Sequence, residues 1–294
     1  MSRAGIVTVV GKPNAGKSTL LNRIIGEKLA IVSSKPQSTR DRVVGIHTVG
    51  DTQMIVYDTP GLLNPRYALQ RAMRNAALEA LEDADAIIHV VDATEGPVPD
   101  LVESAGLDHA PRAPVLLALN KVDALHPAAL AQLRVDHPGA YPISATTGEG
   151  VESLLEAAAA RLPESPFLYP EDEISTQTVR FFVSEMIRET ALEQLEDEVP
   201  YSVACEVEEY REDRKPLYIR AVIYVERDSQ KGILIGAKGQ RLREIGRQAR
   251  AKIEAFAGTS VYLDLWVKVL PNWRRHEGSL KRFGYRLPET PSSQ

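Results

Sequence analysis

Gly11-Lys12-Pro13-Asn14-Ala15-Gly16-Lys17-Ser18, followed by Thr19, spaces two glycines, a lysine and a hydroxyl in the pattern G-x-x-x-x-G-K-[ST]. Glycines at those positions let the backbone wrap a phosphate with successive N–H groups pointing inward, and a helix starting near Lys17 adds its partial positive charge. Lys17 then reaches the β- and γ-phosphates of a nucleotide, and the Ser18 hydroxyl suits a hard cation such as Mg²⁺. Asp58-Thr59-Pro60-Gly61 adds a carboxylate that holds Mg²⁺ through water and a Gly61 amide within reach of the γ-phosphate. In Asn120-Lys121-Val122-Asp123, the Asp123 carboxylate accepts from both the ring N–H and the exocyclic amine of guanine, whereas adenine presents an acceptor where guanine donates. An unpaired carboxylate against adenine costs roughly 1.5–3 kcal/mol per missing bond, so GTP is expected over ATP. Lys121 lies along the base, Asn120 ties the loops together, and Ser144-Ala145-Thr146 supplies amides for the guanine carbonyl.

Such segments work together only if each sits at the carboxyl end of a strand in one open sheet. Short apolar runs, many of them β-branched, occupy 5–10, 43–49, 53–57, 86–91, 115–119 and 141–143, and helix-length stretches separate most of them. Most runs are continuously apolar, as strands buried on both faces are. Gly50-Asp51-Thr52 leaves no room for a helix between the second and third runs, so a hairpin and one antiparallel edge strand are expected. Residues 1–162 therefore read as an α/β domain with a six-stranded, mostly parallel sheet. Pro163, Pro166 and Pro170 exclude a helix or central strand, which makes 163–175 a linker to a second domain, 176–294.

The four motifs, in order at consecutive strand ends, resemble a translation-factor-type P-loop GTPase over about 160 residues. The resemblance makes the polar stretch Ser33 to Arg42 switch I, with Thr39 the expected Mg²⁺ ligand and Ser38 the alternative, and makes the stretch after Gly61 switch II. Lys17, Thr39 and Gly61 are the residues it assigns to catalysis. Many GTPases place a water-orienting Gln directly after this glycine, but here Leu62 stands there and cannot hydrogen-bond water. Resemblance to GTPases with a hydrophobic residue at that position implies a backbone-oriented water and a potassium ion with Asn14 as its ligand.

Charge divides the chain. Residues 1–175 hold 15 basic and 22 acidic residues, 176–294 hold 20 and 18, and the stretch 211–286 holds 18 and 8, which points to an anionic partner for the second domain. Its periodicities give the order αββααβ: a helix carrying Val179, Phe182, Val183, Met186, Ile187 and Leu195, strands at 201–207 and 217–225, helices at 229–235 and 240–257, and a strand at 260–269. Ile235-Gly236-Ala237-Lys238-Gly239 joins the two later helices, and a G-x-x-G loop so placed resembles an α+β type II KH RNA-binding domain. Lys238 and Arg241 are the expected phosphate contacts. Arg243, Arg247 and Arg250 share the helix face opposite Leu242, Ile245 and Ile253; they either extend that basic surface or form a solvated helix face. Trp273 and Phe283, interleaved with basic residues in the tail, suit base stacking or anchoring of the tail, and anchoring is preferred.

Hydrophobic residues at 44% and charged residues at 26% exclude a disordered or fibrous chain. Cys205 alone cannot form an internal disulfide, and no Cys/His cluster has zinc-like spacing, so a reducing cytosol is expected. No stretch approaches the roughly 20 apolar residues of a membrane span. Pro13 to Asn22, Pro36 to Arg42 and Gly45-Ile46-His47-Thr48, with the KH-like second domain, resemble the Era family of bacterial GTPases along nearly the whole chain. That resemblance implies binding near the 3′ end of 16S rRNA, a role in assembling the 30S ribosomal subunit, and loose attachment to the inner membrane by a monomer. A GTP switch whose second domain contacts a protein is the rival reading.

Overall fold

The computed structural model describes residues 1–33 and 35–288; Ser34 of the polar loop and residues 289–294 of the basic tail lie outside the described residues. Two compact units account for most of the chain, one built from Met1–Arg66 and Gln70–Thr176, the other from Tyr67–Leu69 and Gln177–Leu287.

In the first unit, strands β1 (Arg3–Val10), β2 (Val43–Val49), β3 (Thr52–Asp58), β4 (Ala86–Asp92), β5 (Val115–Asn120) and β6 (Tyr141–Pro142) form one sheet in the order β2-β3-β1-β4-β5-β6. Helices α1 (Lys17–Ile25), α2 (Ala68–Glu82), α3 (Leu101–Ala105), α4 (Pro127–Asp136) and α5 (Val151–Ala159) alternate with the strands. Every neighbouring pair is parallel except β2 and β3. Val49 pairs with Thr52, so the hairpin turn is Gly50-Asp51, one residue shorter than expected, with Gly50 at φ 56°. β4 is buried at every position, which is why its sequence does not alternate; each of Ile87, Ile88 and Val90 contributes about 1.5–3 kcal/mol by leaving water. The strand order reverses at β1, and the crevice this creates opens at the carboxyl ends of β1 and β3, where the first two motifs begin.

The proline-rich stretch lies along the sheet edge. Buried Gln53 accepts from the Leu168 and Tyr169 amides at 2.8 and 3.0 Å and donates to the Tyr169 carbonyl at 2.9 Å. Ile46 N donates to Ile174 O at 2.9 Å, so this segment covers part of the open edge of β2.

The second unit contains α6 (Val179–Gln194), α7 (Val199–Ser202), β7 (Ala204–Arg211), β8 (Leu217–Val225), α8 (Asp228–Ile235), α9 (Gln240–Ala257), β9 (Val261–Val269) and α10 (Glu277–Arg282). Its sheet runs β7-β8-β9, with β7 antiparallel and β9 parallel to β8. Val183 and Ile187 of α6, Ile245, Ala249 and Ile253 of α9, and the odd-numbered face of β8 form its core. One expectation is corrected. The strand expected at 201–207 begins at Ala204 and runs to Arg211, because Pro200 opens a helical turn that absorbs Tyr201. A register shift between Val207 and Glu209 breaks the alternation that marks a strand in sequence. Trp273 is fully buried, donates its indole N–H to Ser202 O at 2.8 Å and packs edge-on against Phe283, which is the anchoring role preferred for both.

Candidate nucleotide site and RNA-contact loop

Between Val10 and Lys17 the chain turns over the start of α1, and the turn needs left-handed backbone at Asn14 (φ 64°) and Gly16 (φ 98°). A Cβ on Gly16 would lie 2.1 Å from Asn120 Nδ2, so glycine alone admits the approach by which Asn120 donates to the Ala15 carbonyl at 2.8 Å. Lys17 Nζ reaches back across the loop to Gly11 O and Lys12 O at 3.1 and 2.9 Å. Burial lowers the Lys17 ammonium to about 8, against the raising influence of Asp58.

Three oxygen-bearing side chains from distant parts of the sequence meet beneath this loop. Ser18 Oγ donates to Asp58 Oδ2 at 2.6 Å and stands 2.9 Å from Thr39 Oγ1, which is 3.3 Å from the same carboxylate oxygen. The other oxygen, Asp58 Oδ1, is buried with no hydrogen-bond partner among the described residues. Burial pushes the Asp58 carboxyl up to about 6, opposed by Lys17 and by the hydrogen bonds from Ser18 and Thr39. An orphaned carboxylate oxygen beside two hydroxyls is a donor set that fits a hard divalent cation. Thr39 joins this group, while Ser38 lines the cleft beside it.

The cleft itself holds about 380 Å³, within the range of small-molecule sites, and its lining includes Asn14, Lys17, Thr19, Gly61 and Lys121. Thr59 Oγ1 donates to Val9 O at 2.8 Å, locking β3's end to β1 ahead of Pro60. A Cβ on Gly61 would lie 2.7 Å from Pro13 N, so the two loops touch through bare backbone. Leu62 turns away: its side chain is buried among Val10, Ala77 and Leu81, and its amide donates to Gly11 O at 3.0 Å. It fixes the glycine before it.

At the base end, Asn120 Oδ1 accepts the Ala145 amide at 2.9 Å, which joins the phosphate loop, the end of β5 and the segment after β6 through one side chain. The Ser144 amide is committed to Glu149 O, leaving Thr146 with the one amide of the three not bonded among the described residues. Asp123 stands exposed on the 3-10 turn Val122–Ala124, its carboxylate without a partner among the described residues. Two residues outside the motifs serve this end. Arg23 of α1 donates to the Ala145 carbonyl at 3.2 Å and also to the Thr146 carbonyl, and Asp92 pairs with Lys121. Position at the end of β4 was the only sequence signal for Asp92, and Arg23 gave none.

In the second unit, α8 ends at Ile235, and Gly236 adopts φ 71° and ψ 176°, a region open to glycine. Lys238 and Gly239 follow at φ 51° and 76°, with Ala237 and Lys238 exposed at the tip of the loop. Arg241 Nη1 donates to Ile233 O at 2.9 Å, and Arg243 Nη2 to Lys238 O at 2.5 Å, so both arginines brace the loop. Arg247 is held by Glu244 at 2.6 Å and Arg250 lies 3.9 Å from Glu254. All four arginines are exposed on α9, but only the first two converge on the loop.

Residues 6–121 match the family model of 50S ribosome-binding GTPases, and residues 198–274 match the KH domain model. The chain is similar to the GTPase Era of Geobacter metallireducens, 42% identical over 291 residues spanning 96% of this chain and 98% of that one. It is similar to the GTPase Era of Ectopseudomonas mendocina, 43% identical over 293 residues, with 97% and 98% covered. Among solved structures, an Era in complex with MgGDPNP and nucleotides 1506–1542 of 16S ribosomal RNA aligns with a TM-score of 0.90 at 39% identity, covering 98% of this chain and 100% of that one. At 42 and 43% identity along nearly the full length of both relatives, the chain belongs to the GTPase Era family.

Proposed function

We propose that the chain is a GTP-hydrolysing switch that binds single-stranded 16S rRNA near its 3′ end through the second unit and takes part in assembling the 30S subunit. The observation that carries the nucleotide half is the meeting of Ser18, Thr39 and the half-satisfied Asp58 carboxylate beneath a phosphate-type loop. The family's RNA-bound member supports the other half.

In this reading residues 1–162 are the nucleotide domain, 163–175 the linker and 176–294 the RNA-binding domain with its basic tail. Lys17 exchanges its two loop carbonyls for the β- and γ-phosphates. Ser18 and Thr39 would hold Mg²⁺ directly and Asp58 through water, and the ion would neutralise charge on the phosphate oxygens. Gly61 offers its amide to the γ-phosphate, kept in place by buried Leu62. Because the buried Leu62 side chain cannot hydrogen-bond water, backbone groups of the two switches would orient the attacking water, and Asn14, in the cleft lining, would hold a potassium ion. Asp123 selects guanine. Thr39 and Gly61 feel the γ-phosphate from opposite segments, so hydrolysis to GDP and phosphate releases both, which makes the switch. Peripheral attachment to the inner membrane belongs to the same family reading; among the described residues no helix is long and apolar enough to cross one.

Titration with GDP and GTP in Mg²⁺, followed by binding of a 16S 3′-end oligonucleotide across a salt series with and without GTP, tests both halves. Nucleotide binding and an RNA affinity that falls with salt and weakens in Gly236→Asp are expected. No affinity for guanine nucleotides would end the proposal, and no RNA affinity would return the second unit to a protein-binding role. Equal turnover in potassium and sodium would remove the role of Asn14.

A further inference from the structure

Asp92 belongs to none of the nucleotide motifs, yet it is the last residue of β4 and pairs in register with Asn120, the last residue of β5. The Ala93 amide donates to Asn120 O at 2.9 Å, so the two strand ends are joined on both sides of this position. Its side chain is 7% exposed, and both carboxylate oxygens are engaged. Oδ1 accepts from the Thr94 amide at 3.0 Å and from the Thr94 hydroxyl at 2.7 Å, while Oδ2 takes the Lys121 ammonium. Burial alone would raise this carboxyl; the hydrogen bonds from Lys121 and Thr94 outweigh it and hold it below its usual range.

Lys121 is the unusual partner. It adopts φ 69° and ψ 32°, a left-handed conformation that is unfavourable for a residue with a Cβ. Its side chain lines the nucleotide cleft and stays 38% exposed. A lysine stem has four rotatable bonds, and an unpaired ammonium would spread over many rotamers or turn toward the phosphates. Anchored at both ends, by the backbone of β5 and by a buried carboxylate, the stem has one path.

We propose that Asp92 is a positioning residue of the base site: by holding the Lys121 ammonium it fixes the lysine's methylene stem as a shelf for one face of the purine. The assignment rests on the guanine-nucleotide reading above and deepens it. Asp123 reads the edge of the base, and the shelf acts on its face, so the two contributions separate. Loss of the shelf weakens every purine nucleotide alike, whereas loss of the edge contact alters the preference among purines.

A double-mutant cycle on GDP affinity tests this, with GDP and IDP titrated into the wild type, Asp92→Ala, Lys121→Ala and the double variant. Asp92→Asn, which retains an acceptor for Thr94, serves where Asp92→Ala does not fold. The expected result is a loss of about tenfold in GDP affinity for either Asp92 variant, an unchanged ratio of GDP to IDP affinity, and no further loss when Asp92 is replaced in the Lys121→Ala background. A wild type that binds GDP, together with an Asp92 variant that binds it equally well, overturns the assignment alone. So does a loss that is the same with and without Lys121, which would mark Asp92 as a cap for the turn at Thr94. A wild type that binds no GDP overturns both this assignment and the nucleotide reading.

Discussion

The proposed task of Asp123, reading guanine, is one that its surroundings leave it free to perform. The carboxylate projects from a three-residue turn with no partner among the described residues, so both oxygens are available to an incoming N–H and amine. Asp123→Asn keeps the size and replaces one acceptor with a donor, which suits a base carrying oxygen where guanine carries its amine. GDP affinity should fall by roughly a hundredfold, about the worth of one strong charge-assisted bond, while affinity for xanthosine diphosphate rises. Competition binding with the two diphosphates measures the exchange, and an unchanged preference would mean that another group reads the base. Ser18, Lys17, Asp58 and Asp123 stood out in sequence because their types and spacing suggest a chemistry, and the structure brings Ser18 and Asp58 into contact. Arg23 and Asp92 were not: an arginine within a helix and an aspartate at a strand end have too many ordinary uses, and only contact with Thr146 and Lys121 distinguishes them.

Strand β4 carries a buried titratable group, His89, at 3% exposure. Burial lowers its imidazole to about 4, with Asp100 pulling upward and Lys17 and Lys12 downward. A histidine whose folded value lies below its unfolded value stabilises the fold fully above the unfolded value near 6.5, and that stability is lost as pH falls toward 4. Urea denaturation of the wild type and His89→Gln should therefore show a difference that is flat above pH 7 and moves against the wild type by on the order of 3 kcal/mol between pH 6.5 and 4. A constant difference would place the imidazole in contact with water. On helix α9 the arginines divide in a way the sequence could not show. Arg247 already has Glu244 at 2.6 Å, and exposed Lys238 has no side-chain partner among the described residues. In RNA titrations across salt, Lys238→Gln should lower the slope by about one phosphate and Arg247→Gln by less. Equal slopes would assign the same weight to both. The same helix shows why periodicity worked: Ile245, Ala249 and Ile253 recur on its buried face, whereas the start of β7 lacked any clean period once Pro200 and the register shift at Glu208 intervened.

The chain as a whole joins two units of different chemistry, and the stretch between their strands and helices is held to the first of them. Gln53 makes three hydrogen bonds to Leu168 and Tyr169 from a position with no exposure. Gln53→Ala would leave two amides and a carbonyl to find water at the sheet edge, at a cost of about 2 kcal/mol net. Urea denaturation monitored on the nucleotide-bound protein should record that loss, and a variant as stable as the wild type would mean that the segment is held elsewhere, by Ile46 and Ser175. Proline content correctly barred this stretch from helix and strand, but nothing in its composition said that it would lie along β2 and β3.

Motif chemistry, strand periodicity and charge distribution are properties of adjacent residues, and they were sufficient for the α/β sheet, the αββααβ unit and the glycine loop before α1, and to single out Asp123. Contacts between residues far apart in the chain were decided only on folding, because spacing carries no information about them. The choice of Thr39 over Ser38 beside Ser18 and Asp58, the burial that leaves Asp58 Oδ1 without a partner among the described residues, the inward turn of Leu62 and the pairing of Asp92 with Lys121 are all of that kind. Each depends on which side chains the sheet order brings together and how much water it removes from them.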